Sequence, residues 1–234
     1  MNRNGNTYTV LYAAVMVILV AAVLASVSMA LKPKQVLNTE IEKKQSILAS
    51  VNIESTAANA EKIYAEKIVT QYVVNVKGEQ VEGDAFNIDL KKERAKAHED
   101  MLLPVFECHT SEGIKYILPL RGTGLWGPIW GFISLNDDMN TIYGANFDHQ
   151  GETPGLGAEI NTPIFEEPFI GKKIFDESGK LISIIVAKVG QDAPAEHKVD
   201  GISGGTITSK GLEKMLLDDF TSYQEFFKKK NHKR

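Results

Sequence analysis

The sequence predicts an α+β protein, in which a single N-terminal transmembrane helix precedes a domain with a mainly antiparallel sheet and flanking helices. Three observations support this fold class. The N-terminus is a long uncharged apolar stretch, the middle of the chain alternates short apolar runs with Gly- and Asp-rich turns, and the last segment repeats apolar residues every three or four positions. Consecutive hairpins beside helices are typical of α+β domains.

The N-terminal stretch has no charged residue from Tyr8 to Leu31. About 20 apolar residues suffice to cross a hydrocarbon core of about 30 Å. A cleavable signal peptide is the alternative, because Ser28-Met29-Ala30 has the small-x-small form of a cleavage site, although the apolar region of a signal peptide is usually only about 7–15 residues long. We favour a retained anchor over residues 1–34, ended by Lys32-Pro33-Lys34.

Residues 35–100 are predicted to be a helical and hairpin connecting region, and residues 101–234 the main folded domain. The connecting region should contain a helix from Asn38 or Thr39 to about Val51, a second helix over 56–70, two short strands within 72–81 and a charged helix over 89–100. The main domain should contain three hairpins, formed by 105–108 with 114–120, 129–135 with 141–147, and 173–175 with 181–189.

A final helix is predicted from the spacing of its apolar residues, which places them on one face: Leu212, Leu216, Phe220, Tyr223 and Phe227. The basic tail at 228–234 complements the dipole of this helix, and contact with anionic membrane lipid is the alternative interpretation.

Composition argues against several classes of function. A formal net charge of −4 gives no overall basic field, so we expect no nucleic-acid partner. Cys108 is the only cysteine, which excludes an intramolecular disulfide and a Cys-rich zinc site. The five histidines do not have the spacing of metal ligands, and no nucleophilic triad is evident, so we predict neither a metal nor a catalytic residue in this chain.

The most informative segment is Asp200-Gly201-Ile202-Ser203-Gly204-Gly205-Thr206-Ile207-Thr208-Ser209, between a predicted strand and the final helix. Two glycines turn the chain sharply, and the following helix N-terminus favours an anion such as a phosphate. The alternative is a simple turn in which Thr208 or Ser209 caps the helix.

The Asp-x-x-Ser-Gly-Gly-Thr-x-Thr-Ser segment resembles the flavinylation motif of the FMN-binding domain family. The resemblance implies that Thr206 is esterified to the phosphate of FMN by a flavin transferase that uses FAD as donor. Ser203, Gly204, Gly205 and Thr208 would surround the attachment, and Asp200 would support the motif by binding the transferase or holding the turn. Many members have Ala at the position of Gly205, which is still a small residue.

Two more segments resemble the same family. Glu152-Thr153-Pro154-Gly155-Leu156-Gly157 is similar to a loop that lies along the flavin, and Gly122-Thr123-Gly124-Leu125-Trp126-Gly127 is similar to a Gly- and Trp-rich family segment. The resemblance therefore implies further cofactor contacts, which are Leu125, Trp126, Glu152, Thr153, Leu156 and Gly157. Trp126 could stack on the flavin or form one wall of its site; packing in the core or at an interface is the alternative.

The order of these segments, together with the anchor, resembles the family of C subunits of the sodium-translocating NADH:quinone reductases. This resemblance implies a subunit that relays electrons during NADH oxidation by quinone coupled to sodium export, without catalysis by this chain alone. It also implies partner subunits of the complex and a domain outside the bacterial cytoplasmic membrane, since the charges flanking the anchor do not decide its orientation. The alternatives are a G-type subunit of the ion-translocating ferredoxin:NAD reductase and a non-redox anchored extracytoplasmic module.

Overall fold

The computed structural model describes residues 5–188 and 190–231, which fall into two compact units that divide between Lys43 and Lys44. The helices are α1 (Asn6–Ala49), α2 (Ala60–Lys67), α3 (Leu90–Glu93), α4 (Pro163–Glu166) and α5 (Thr206–Asn231). The strands are β1 (Ile68–Asn75), β2 (Gln80–Val81), β3 (Leu102–Thr110), β4 (Gly113–Thr123), β5 (Pro128–Leu135), β6 (Ile142–His149), β7 (Ile185–Ala187) and β8 (Lys198–Asp200). Short 3-10 turns occur at Ala85–Asn87, His98–Asp100, Gly157–Asn161, Glu167–Phe169 and Ala195–His197.

Helix α1 is long and apolar enough to cross a membrane, with a mean hydropathy of 2.8 over its most apolar 18 residues, none of them buried. This fits the predicted anchor. The predicted end of the helix at Lys32-Pro33-Lys34 was wrong, because α1 continues through Pro33 to Ala49 and no separate helix starts at Asn38 or Thr39. A proline removes one backbone hydrogen bond, and the neighbouring Leu, Lys and Gln residues are good helix formers, so the helix is maintained.

The described residues form a six-stranded sheet with the order β2-β1-β3-β4-β5-β6, in which every neighbouring pair is antiparallel. This confirms the predicted α+β class. The first two hairpins of the main domain are also present as β3–β4 and β5–β6.

Three local predictions need correction. The second helix covers only Ala60–Lys67, because the chain pairs with β3 from Ile68 onward. The helix predicted over 89–100 is reduced to α3 and one 3-10 turn; Asp89 caps α3, but the backbone of Ala97 is extended and interrupts the helix. The third hairpin is a single bridge, Phe175↔Leu181, since Ser183 has a positive φ of 66° that turns the chain out of the ladder.

The chain after this turn forms β7, which pairs in parallel with β8. Val189, at the end of the predicted strand, lies outside the described residues, as do residues 232–234 of the basic tail.

Helix α5 covers one face of the sheet. Its five predicted core residues are all buried, as expected from their spacing: Leu212, Leu216, Phe220, Tyr223 and Phe227. The buried Tyr223 hydroxyl donates a 2.6 Å hydrogen bond to the carbonyl of Pro104 in β3, which fixes the helix to the sheet. A second apolar cluster, which includes Ile47, Phe106 and Phe132, occupies the other face.

Strand register brings three segments to one end of the sheet. Thr123 at the end of β4 pairs with Pro128 at the start of β5, and Ile129 pairs with His149 at the end of β6. The N-terminal part of α5 reaches the same end, where Gly211 packs against the carbonyl of Thr123. The turn at 124–127, the loop after His149 and the first turn of α5 are therefore neighbours.

Candidate functional site

Thr206 is the first residue of α5, and its side chain is exposed. The chain enters the helix through Gly204, whose φ is +75°, and through a turn in which the Gly205 N–H donates to the carbonyl of Ile202 at 3.0 Å. The first N–H groups of an α-helix have no partner within the helix, and the helix dipole is positive at this end. The Thr206 hydroxyl thus stands where an attached phosphate would be stabilised.

Two hydrogen bonds hold the residues before Thr206. Gly201 N–H donates to the carbonyl of Ala187 at 2.7 Å, and Ile202 N–H donates to the Ser209 hydroxyl at 3.1 Å. Ser203 is exposed. The Asp200 side chain is 89% exposed and lies 3.8 Å from Lys198 Nζ, directed to solvent and not into the turn.

Glu152 connects the three segments through its carboxylate, although the residue is only 5% exposed. Its Oε1 accepts the N–H of Trp126 at 2.8 Å, and its Oε2 accepts the Thr208 hydroxyl at 2.5 Å. Its own N–H donates to His149 Nδ1 at 3.2 Å. One buried side chain therefore ties the 124–127 turn and the loop after β6 to the first turn of α5.

Gly124 and Gly157 leave the space that the Glu152 side chain and its hydrogen-bond partners occupy. A Cβ on Gly124 would lie 2.6 Å from Glu152 Oε1, and one on Gly157 would lie 2.5 Å from Thr208 Oγ1. Real Cβ atoms do not approach other atoms this closely. The glycines at these positions are thus required for close packing around Glu152 as well as for turns.

Four apolar side chains are exposed on these segments. Trp126 is 69% exposed, Ile207 59%, Leu125 48% and Leu156 41%. Exposed apolar side chains grouped on neighbouring segments are typical of a surface that binds a ligand, a protein or a membrane. Ile207 was not among the predicted residues. The sequence did indicate it, because Ile207 is an apolar residue in the first turn of α5 that does not lie on the buried face of that helix.

The predicted site residues thus fall into two layers. Leu125, Trp126, Thr153, Leu156, Ser203, Gly204 and Thr206 are exposed, whereas Glu152, Gly157, Gly205 and Thr208 are buried behind them. The carbonyl of Thr153 accepts the N–H groups of Leu156 and Ala158 at 3.1 and 3.2 Å, which closes the loop. Over residues 5–188 and 190–231, no cluster of three or more His, Cys, Asp or Glu side chains could hold a metal ion.

Comparison with known proteins relates the chain to one domain family and to a set of named subunits. Residues 124–218 match the FMN-binding domain family. The C subunit of the Na(+)-translocating NADH-quinone reductase of Pseudomonas aeruginosa is 33% identical, over 92% of this chain and 91% of that protein. The protein of the same name from Haemophilus ducreyi is 30% identical, over 91% of this chain and 88% of its own length.

Two solved structures are also similar. The crystal structure of the Na(+)-translocating NADH-quinone reductase C subunit from Parabacteroides distasonis has a TM-score of 0.79 and 48% identity, covering 84% of this chain and 96% of that one. Shewanella oneidensis NqrC has a TM-score of 0.69 and 23% identity, over 83% of this chain and 99% of that one, and shares the fold. By sequence over nearly its whole length and by structure, the chain belongs to the family of C subunits of the Na(+)-translocating NADH-quinone reductases.

Proposed function

We propose that this chain carries FMN covalently on Thr206 and relays electrons within a Na(+)-translocating NADH-quinone reductase. The observation that carries this proposal is the exposed Thr206 hydroxyl at the N-terminus of α5, beside a surface of four exposed apolar side chains. Membership of the C-subunit family and the match of residues 124–218 to the FMN-binding domain support it.

The residues present fit this cofactor. The N-terminal N–H groups of α5 suit the phosphate, and Gly204 leaves the approach to Thr206 free of a side chain. Trp126, Leu125 and Leu156 offer apolar surface to an aromatic ring, and Ile207 extends that surface. FMN supplies redox chemistry in one- or two-electron steps when it is bound, while the protein supplies its position and electrostatic environment.

The remaining predicted residues have supporting roles in this proposal. Ser203 and Gly205 would form the turn that receives the phosphate, Thr153 would hold the neighbouring loop closed, and Gly157 and Thr208 would maintain the packing beneath the site. Asp200, exposed and directed to solvent, is available to the flavin transferase.

Attachment requires a single group transfer onto Thr206. The Thr206 oxygen forms a bond to the phosphorus of the FMN half of FAD, the P–O–P bond breaks, AMP leaves, and the hydroxyl proton passes to solvent. No electrons are exchanged in this step. We assign this step to a separate flavin transferase.

The proposed setting is the bacterial cytoplasmic membrane. Helix α1 anchors the chain in lipid, and the folded domain works on the extracytoplasmic side, where it meets the other subunits of the complex. The chain performs no catalysis alone. We prefer this assembly to the ion-translocating ferredoxin:NAD reductase because the relatives described above are named as C subunits of the quinone reductase.

The proposal is tested by producing the chain together with a flavin transferase in the compartment where that enzyme acts. The wild-type protein should gain the mass of FMN minus water and fluoresce in a denaturing gel. Thr206→Val should lose both signals, because Val has a similar volume but no hydroxyl, whereas Thr70→Val, which removes an exposed threonine hydroxyl from β1, should keep them. A dark wild-type band beside a flavinylated control protein would instead favour a non-redox anchored module.

A further inference from the structure

We propose that Glu152 is a positioning residue for the flavin: its buried carboxylate holds the Trp126 turn against the first turn of α5 and so determines how the ring lies on the protein. This inference rests on the proposed function, because it concerns a flavin attached at Thr206.

The two oxygens of Glu152 serve different segments. Oε1 accepts the main-chain N–H of Trp126, 26 residues earlier in the chain, and Oε2 accepts the hydroxyl of Thr208, 56 residues later. Thr208 lies two residues after Thr206 in the same helical turn. The carboxylate therefore connects the first turn of α5, which would carry the flavin, to the turn that bears the exposed indole of Trp126.

Water does not readily replace these bonds. Glu152 is 5% exposed, and Gly124 and Gly157 approach it with bare backbone. A buried carboxylate that lost one donor would be left partly unsatisfied, which costs more than the hydrogen bond itself contributes. The arrangement of the two segments is thus strongly favoured over looser alternatives.

Both oxygens of Glu152 accept hydrogen bonds, one from Trp126 N–H and one from the Thr208 hydroxyl, as the oxygens of a carboxylate do. A fixed negative charge behind the ring site opposes the arrival of electrons on the flavin. Glu152 therefore influences the reduction potential as well as the position of the ring.

Amide and alanine substitutions separate these two effects. In Glu152→Gln, the amide oxygen can still accept the Trp126 N–H, and the amide nitrogen can donate to the Thr208 hydroxyl, so the connection remains but the charge is lost. In Glu152→Ala, both the connection and the charge are lost. Glu167→Gln is a matched control, since it removes an exposed carboxylate from the same domain.

The experiment uses the full chain, purified in detergent after production with the transferase. Intact mass gives the covalent loading, thermal unfolding gives the stability, and fluorescence and spectroelectrochemical titration give the flavin's environment and midpoint potential. We expect Glu152→Gln to load like wild type, with its fluorescence little changed and its potential shifted to more positive values. Glu152→Ala should also change the fluorescence and reduce loading several-fold, while Glu167→Gln should match wild type in every measurement.

Two results would overturn the inference. One is a folded, loaded Glu152→Ala protein with wild-type fluorescence and potential. The other is a Glu152→Ala protein that only loses stability, together with a Glu152→Gln protein whose potential is unchanged, since the carboxylate would then act on the fold alone. A wild-type protein without covalent flavin would refute the proposed function itself, and the intact mass reveals that outcome before any variant is compared.

Discussion

Gly204 and Leu156 lie so close together that a Cβ on Gly204 would stand 2.6 Å from Leu156 Cδ2. Gly204 also has a φ of +75°, a backbone conformation that residues with a side chain rarely adopt. The backbone conformation therefore favours glycine at this position, and a Cβ there would also displace the end of the Leu156 side chain. Because Gly204 is two residues from Thr206, both effects concern the shape of the turn before Thr206.

Gly204→Ala should reduce covalent flavinylation severely while the domain remains folded. The left-handed backbone alone costs a residue with a Cβ about 1–2 kcal/mol, and the new Cβ also displaces the exposed end of the Leu156 side chain beside the turn. Gly171→Ala is the matched control, because Gly171 has a φ of +80° but a Cβ there would meet no neighbouring atom within 4 Å. The melting temperature should fall in both variants, whereas intact mass should show reduced flavin loading only in Gly204→Ala. Equal flavin loading in the two variants would contradict the role of the Leu156 contact.

Trp126→Ala should change the surroundings of the flavin with little effect on stability. The indole is 69% exposed, and substitutions at exposed positions usually change the free energy of unfolding by less than about 0.5 kcal/mol. The bond to Glu152 comes from the Trp126 main chain, so it survives the substitution. Flavin absorbance and fluorescence of the loaded protein are the measurements, and spectra identical to wild type would remove Trp126 from the ring site.

Glu166 should make stability depend on pH. Burial raises the pKa of its carboxyl to about 7 from the usual 4.5, against the opposing effect of the hydrogen bond that it accepts from Phe147 N–H. Since the folded state holds the proton more tightly than the unfolded state, the stabilisation is fully present below the unfolded pKa and is lost as the pH rises through about 7.

Glu166→Gln should therefore flatten the stability profile between about pH 4.5 and pH 7, because the amide can accept the Phe147 N–H but does not titrate. The neighbouring Glu167→Gln, which changes an exposed carboxyl, should keep the wild-type slope. Melting temperatures of the three proteins at several pH values provide the comparison. Equal slopes in all three would show that Glu166 does not govern the effect.

The spacing of apolar residues in the sequence correctly predicted the helices and strands that bury one face along their whole length. The apolar residues of α5 recur at helical spacing and all reach the core, and the two hairpins built from β3 to β6 follow their polar turns. Prediction failed where tertiary context overrode local signals. Pro33 lies within a continuous helix, and Ser183 turns the chain through a positive φ that nothing in its sequence indicates.

The sequence predicted which three segments belong to the candidate site, but it did not predict the hydrogen bonds that join them. Thr206 is located by the glycines before it and the helix after it. The bonds from Glu152 to Trp126 and Thr208 join residues far apart in the chain, and a single sequence contains no signal for such pairs. The requirement for glycine at 124 and 157 likewise comes from neighbours that only folding supplies.

Thr206, the proposed acceptor, opens α5, and that helix is held in place by packing on β4 and by the bond from Tyr223 to β3. The shape of the turn before Thr206 therefore depends on strands that lie much earlier in the chain. A transferase that recognises the folded turn would act only after α5 has packed on the sheet, and would leave unfolded chains unlabelled. Flavin content would then report directly on the fraction of chains that have folded.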